Sequence, residues 1–279
     1  MMYKGASPNI IHLNPDQNER FVLKNCVKYL HRHFLRYRAF DKETFKTIYW
    51  ALGPETKLIN DFLTEQVDKQ RRSEFKQELS DNMHDLDAYV EFVFESVRRL
   101  KGQQLQDLRG LVIELMHKVS KRTHGRRIAE IEKNVTTLKR MFDLTQHEFE
   151  FIIFLFIISA YEIPEDFFVN HLECNKIAGE KYLANLLGVT KRELNQILTG
   201  TLKKINFFEM DNVDLRVEND FLGLYQNPND QNFSQQFYVQ VRPDAIPLDY
   251  YFITEEEKNY VLGLLEKKQK TATHVLLYG

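Results

Sequence analysis

The stretch FEFIIFLFIISAY, Phe149 to Tyr161, holds eight consecutive apolar residues, Phe151 to Ile158. A membrane-spanning helix needs about 20. Eight are too few to cross a bilayer and too apolar to face water, so the run belongs in a protein core. It follows Thr145, with Glu148 three residues on. This is the capping-box signature that opens a helix. The chain must therefore surround one apolar helix with other elements. Glycine (11) and proline (7) are scarce among 279 residues, which favours helices as those elements. At 43% hydrophobic and 28% charged, a chain of this length buries a sizeable core and is expected to hold two domains.

Helical punctuation recurs along the chain. Residues 1–13 read as a flexible tail without the continuous apolar core of a signal peptide, so none is expected. Asn14 and Pro15 suit the start of a helix that aligns Phe21, Val22, Asn25, Tyr29 and His33 on one side. Asp41 caps a second helix and Gly53 stops it. Pro54 begins a third, with Leu58, Phe62 and Leu63 as its apolar residues. The polar stretch 64–82 reads as an exposed helix or a mobile connection. Helical spacing returns through Leu86, Tyr89, Val90, Val93 and Val97, and again over 103–122 and 126–142. These residues make a helical domain over 14–142.

The next segment, 143–227, has a different order. Two helices lead to LGVTKREL, where Gly188 permits a left-handed turn. Thr190, with Glu193, then caps a second short helix. LKKINFFEMDNVDLRV follows as a hairpin turning at Asp211-Asn212, with Val213, Leu215 and Val217 alternating. Helix, turn, capped helix and hairpin make a winged helix-turn-helix. The expected fold class is therefore mainly α. It comprises a multi-helix N-terminal domain, a winged helix-turn-helix with a small β-hairpin, then a linker, a helix and an orphan strand. In a DNA reader the second helix supplies the donors, and here it offers Lys191, Arg192, Asn195 and Gln196.

Charge falls in blocks. Residues 20–60 sum to +6, 61–96 to −6, 97–140 to +8 and 141–279 to −9. Such blocks either pair as complementary helix faces or expose the basic one to a partner. The −9 and the acidic hairpin residues Glu209, Asp211 and Asp214 oppose a phosphate-binding wing. Cys26 and Cys174 form no CxxC, which suits a reducing cytosol better than a disulfide framework or zinc ribbon. The fragments His31 to His33 and His171 to Cys174 lack further ligands at zinc spacing, so these histidines read as core or surface residues. No metal is expected.

Residues 228–279 contain a linker, a Thr254-capped helix and the terminal THVLLYG, whose apolar residues read as a buried strand ending in Gly279. A phosphate loop, G-x-x-x-x-G-K-[ST], begins with a glycine directly after such a strand. Together with FDLTQHEFEFIIFLFIISAYEI, LLGVTKRELNQIL, LKKINFFE and VDLRVENDFLG, this ending resembles the winged-helix region and the start of the ATPase module in a group of bacterial AAA+ proteins. The match covers about residues 140–279. Gly279 is the one Walker position in hand; no phosphate-loop Lys or Ser/Thr and no Walker B acid accompanies it.

The resemblance implies an N-terminal recognition and regulatory region of a larger ATP-dependent ATPase, cut at its Walker A loop and acting as a protein-interaction module. In the parent it implies bound ATP and Mg, a ring oligomer, and Phe252 and Ile253 near the adenine. The chain itself is expected to be no enzyme. Its final strand is expected to be disordered or paired with another copy. The rival reading is a winged-helix nucleic-acid-binding regulator. There the basic block, with Arg98, Arg99, Lys101, Lys121, Arg122, Arg126 and Arg127, would grip phosphate beside Lys191, Arg192 and Asn195.

Overall fold

The computed structural model describes residues 16–37, 40–121, 128–173, 176–210, 215–218, 221, 223 and 254–266. The chain divides into two units, 1–229 and 230–279. It is mainly helical, with one small antiparallel sheet.

The first unit opens with α1 (Gln17–Tyr37). Its N-cap is Asp16. The Asp16 carboxylate accepts from the Glu19 amide, while the Asp16 amide donates to the Glu19 carboxylate, each at 2.8 Å. This reciprocal pair satisfies two amides that a helix start leaves open. It moves the cap to Asp16 from the expected Asn14, which lies outside the described residues. The expected inward line of Phe21, Val22, Asn25, Tyr29 and His33 is buried.

Next come α2 (Lys42–Leu52), α3 (Thr56–Gln66), α4 (Arg72–Asp81), α5 (Leu86–Arg99), α6 (Gln103–Ser120) and α7 (Glu130–Met141). Asp41 caps α2 by accepting from the Thr44 amide at 2.7 Å, as expected, and Gly53 ends it. In α3 the inward positions are Ile59 and Leu63. Leu58, one of its apolar residues, is 43% exposed because Ile59 takes the inward side of the helix. The polar stretch forms α4, which buries only Phe75 and Leu79, so it is an exposed helix. The helix expected from residue 126 begins at Glu130.

The apolar run forms α8 (Gln146–Ala160), and all of Phe151 to Ile158 is buried. Its capping box is present. α9 (Glu162–Glu173), α10 (Lys176–Leu187) and α11 (Lys191–Thr199) follow. A short α12 (Thr201–Lys204), which no sequence signal announced, leads to β1 (Phe208–Met210) and β2 (Leu215–Val217). The strands pair Phe208 with Val217, Glu209 with Arg216 and Met210 with Leu215. The turn residues 211–214 lie outside the described residues.

Aromatic side chains show how the rest of the unit closes around α8. Phe154 meets Tyr29 of α1 edge-on at 5.2 Å and Phe168 of α9 at 5.5 Å. Phe151 meets Phe208 of β1 at 5.2 Å, and Phe156 meets Phe207 at 5.8 Å. One helix thus carries a side of the helical layer and the hairpin together. Fully burying each Phe contributes roughly 1.5–3 kcal/mol.

In the second unit, α13 (Glu255–Glu266) is described. Thr254 and Glu257 form its capping box, with bonds of 2.8 to 3.2 Å. The expected linker, and the strand expected over His274 to Gly279, lie outside the described residues. Among the described residues, no helix is long and apolar enough to cross a membrane.

Candidate functional site: the α10–α11 turn and its outer helix

The turn begins with the chemistry of a helix end. A helix leaves its last four carbonyls without intrahelical partners. Here the Val189 amide donates back to the Ala184 carbonyl at 2.9 Å, and the Gly188 amide to the Asn185 carbonyl at 3.1 Å. This is the Schellman arrangement, and it needs a left-handed residue between the two bonds. Gly188 supplies it with φ +71°.

The next open carbonyl, that of Leu186, is taken by α1. Arg32 donates to it through Nη1 at 2.7 Å, and Arg36 donates to the Asn185 side chain at 2.6 Å. The Arg32 guanidinium lies so close that a Cβ on Gly188 would come within 2.9 Å of its Cζ. The dihedral therefore favours glycine, and a larger residue would also displace the Arg32 guanidinium. α1 clamps the turn from 154 residues away in sequence.

Beyond the turn, Thr190 and Glu193 form the second capping box. The bonds that Thr190 donates, first from its backbone and then from its hydroxyl, hold the Glu193 carboxyl below the usual range. His147, 3.6 Å away, adds to this. Leu194 and Ile197 are buried. The opposite face presents Arg192, Asn195, Gln196 and Thr199 to solvent, at the spacing of one helix face. Lys191 is exposed too, but pairs with Glu180 of α10 at 3.1 Å. Lys203 lies over the Phe208 ring at 5.7 Å.

Of the residues expected at a nucleic-acid site, Arg192 and Asn195 share this outer face and Lys191 sits at its start. Arg122, Arg126 and Arg127 lie outside the described residues. So do the expected nucleotide residues Phe252, Ile253 and Gly279. Within the basic block, Arg98 is paired with Glu95 at 2.7 Å.

The −9 summed over 141–279 concealed a local reversal. Residues 176–210 carry Lys176, Lys181, Lys191, Arg192, Lys203 and Lys204 against Glu180, Glu193 and Glu209, a net of +3. The acidic surplus lies before and after this segment.

Sequence reasoning missed the clamp. Arg32 and Arg36 stood in a basic block, and nothing local tied them to Gly188. It also missed the meeting of two histidines. His33 is buried, its Nδ1 2.9 Å from the Tyr182 hydroxyl, with its ring 4.8 Å edge-on to that of His171. Burial, and then the nearby His171, push the His33 imidazole down to about 4 against a weaker upward pull from Asp41. His33 is thus a neutral core residue. Among the described residues, no group of three or more His, Cys, Asp or Glu could hold a metal ion.

Comparison with protein-family models, with curated proteins and with solved structures finds no match to this chain.

Proposed function

We propose that α8 to α12 with β1 and β2 form a winged helix-turn-helix. The chain would be the N-terminal recognition and regulatory region of an AAA+ ATPase, with the outer face of α11 docking a protein partner. The observation that carries this reading is the contrast between the two sides of α11. Its inner side is buried, its start is held by a capping box, and the turn before it is held by the Schellman bonds and the α1 arginines. Its outer residues Arg192, Asn195 and Gln196 make no side-chain hydrogen bond or ion pair among the described residues. A rigid helix with uncommitted polar side chains is suited to recognition, since its backbone is already ordered before binding.

A protein partner fits this face better than a duplex. It offers one unpaired cation and two amides, because Glu180 neutralises Lys191. The ATPase assignment rests on the resemblance of residues 140–279. On this reading ATP and Mg bind the module that follows, which works as a ring oligomer. The chain alone neither hydrolyses nor tightly binds ATP, because a phosphate loop acts through its backbone amides and its lysine. Assaying magnesium-dependent ATP hydrolysis by the pure chain, and by the same chain extended through its natural reading frame, tests this. Turnover is expected only of the extended protein. Turnover by residues 1–279 alone would end the proposal.

A second reading, a nucleic-acid-binding regulator, is favoured by the +3 on residues 176–210. It requires duplex binding that weakens steeply between roughly 50 and 200 mM salt.

A further inference from the structure

α1 carries two histidines that face opposite ways. His33 points into the core; His31 is half-buried and meets the ring of His117 on α6 at 5.5 Å. α6 ends beside this pair. His117, Lys118 and Lys121 are exposed there, and the Lys121 amide bonds the His117 carbonyl, which places Lys121 one turn beyond His117. On α1 the residue after His31 is Arg32, which reaches the α10–α11 turn. A row therefore runs from Lys121 and His117 across His31 to Arg32 and the turn that precedes α11.

The row gathers like charges. Burial acts first to hold His31 below its ordinary range. After burial, the groups that act on it, His117 and Lys121 from α6 and Arg32 from α1, all push the same way, against its protonation. Asp41, the N-cap of α2, acts on His33 instead. Glu114 stands one turn before His117 on α6, and Glu180 is occupied by Lys191. Arg32 donates to a neutral carbonyl, so it keeps its full charge. Lys121 and Arg32 thus disfavour charge on His31, and an external anion beside them removes that cost.

We propose that Lys121, His117, His31 and Arg32 form a surface for the phosphate backbone of nucleic acid, leading onto the start of α11. This inference rests on the second reading above. A nucleic-acid strand supplies negative charge at short, regular intervals, which matches cations set in a row over two helices; a lone carboxylate does not. Both imidazoles donate two N–H groups when protonated. Bound phosphate favours the protonated form of an imidazole beside it, so binding tightens as pH falls.

The test is fluorescence anisotropy of a labelled duplex of about 20 base pairs with the full chain, at roughly 50 to 200 mM salt and at about pH 7.5 and pH 6. The wild type is expected to bind about three- to tenfold more tightly at the lower pH. In His31→Gln/His117→Gln/Lys121→Ala that pH response disappears. The slope of log affinity against log salt falls by about two, near one unit for each phosphate no longer neutralised. Arg192→Ala/Asn195→Ala weakens binding and keeps the pH response. Circular dichroism and Trp50 fluorescence check that each variant is folded.

If the triple variant keeps both slope and pH response while the α11 variant weakens binding, this surface is wrong and the nucleic-acid reading survives. If no duplex binds at the lowest salt and pH, both fall. If poly-glutamate of matched charge displaces the duplex as well as unlabelled duplex does, the occupant is an acidic protein and the inference is overturned.

Discussion

Gly188→Ala is the substitution whose cost the structure resolves most fully. Two penalties act at this position. Its φ of +71° is left-handed, and an L side chain there costs about 1–2 kcal/mol. The new Cβ would also sit 2.9 Å from Arg32 Cζ and 3.0 Å from its Nη2, closer than carbon and nitrogen tolerate. Arg32 must move and gives up its 2.7 Å bond to the Leu186 carbonyl. A hydrogen bond from a charged donor contributes about 1.5–3 kcal/mol when buried; at this half-buried site about 1 kcal/mol is a fair share. The total is about 2–3 kcal/mol. Arg32→Ala alone should cost about 1 kcal/mol. In the Arg32→Ala background, Gly188→Ala should cost only its backbone part, leaving a coupling of about 1 kcal/mol. Urea unfolding followed by Trp50 reads this directly, since Trp50 is the single tryptophan, is buried, and lies 5.4 Å from the Tyr161 ring. A Gly188→Ala cost below about 0.5 kcal/mol, or an equal cost in both backgrounds, would refute the clamp.

Acidification should weaken the fold through His33. Its ordinary value is 6.5 and burial lowers it to about 4, so the folded protein holds it neutral. Stability is complete above the ordinary value and declines as pH falls toward 4, by about 3 kcal/mol at the lower end. Urea midpoints across this range should show the slope in the wild type and lack it in His33→Gln; equal slopes would discount His33. Thr190→Ala removes an exposed cap and should cost about 1 kcal/mol, with a lowered urea midpoint and an unchanged m-value. Phe154→Ala empties a site between α1 and α9 and should cost about 3–5 kcal/mol by the same assay. A loss under about 1 kcal/mol would contradict its place at the centre of the core.

Local chemistry was legible in the sequence; long-range chemistry was not. Thr145 with Glu148, Thr190 with Glu193 and Thr254 with Glu257 bond within three residues, and all three boxes are present. Gly188 was readable because a left-handed turn selects glycine whatever lies around it. The outer face of α11 followed from helical spacing. The Arg32 clamp was hidden, since a guanidinium that caps a helix 154 residues away leaves no periodic mark. The same holds for His33 and Tyr182, and for the row formed by His31 and His117. Asp16 displaced Asn14 as the first cap because Glu19, three residues on, can return its bond. Charge was read too coarsely for a different reason. A sum over 141–279 averaged a locally basic segment into acidic flanks, and electrostatic attraction acts over about a Debye length, not over a hundred residues.

The most direct test of the central claim, that these helices are the recognition region of an AAA+ ATPase, is to read the codons that follow Gly279 in the native open reading frame. The account predicts a short loop ending in Gly-Lys-Ser or Gly-Lys-Thr, the rest of a phosphate loop that begins at Gly279. A stop codon, or a continuation without that lysine, would contradict it.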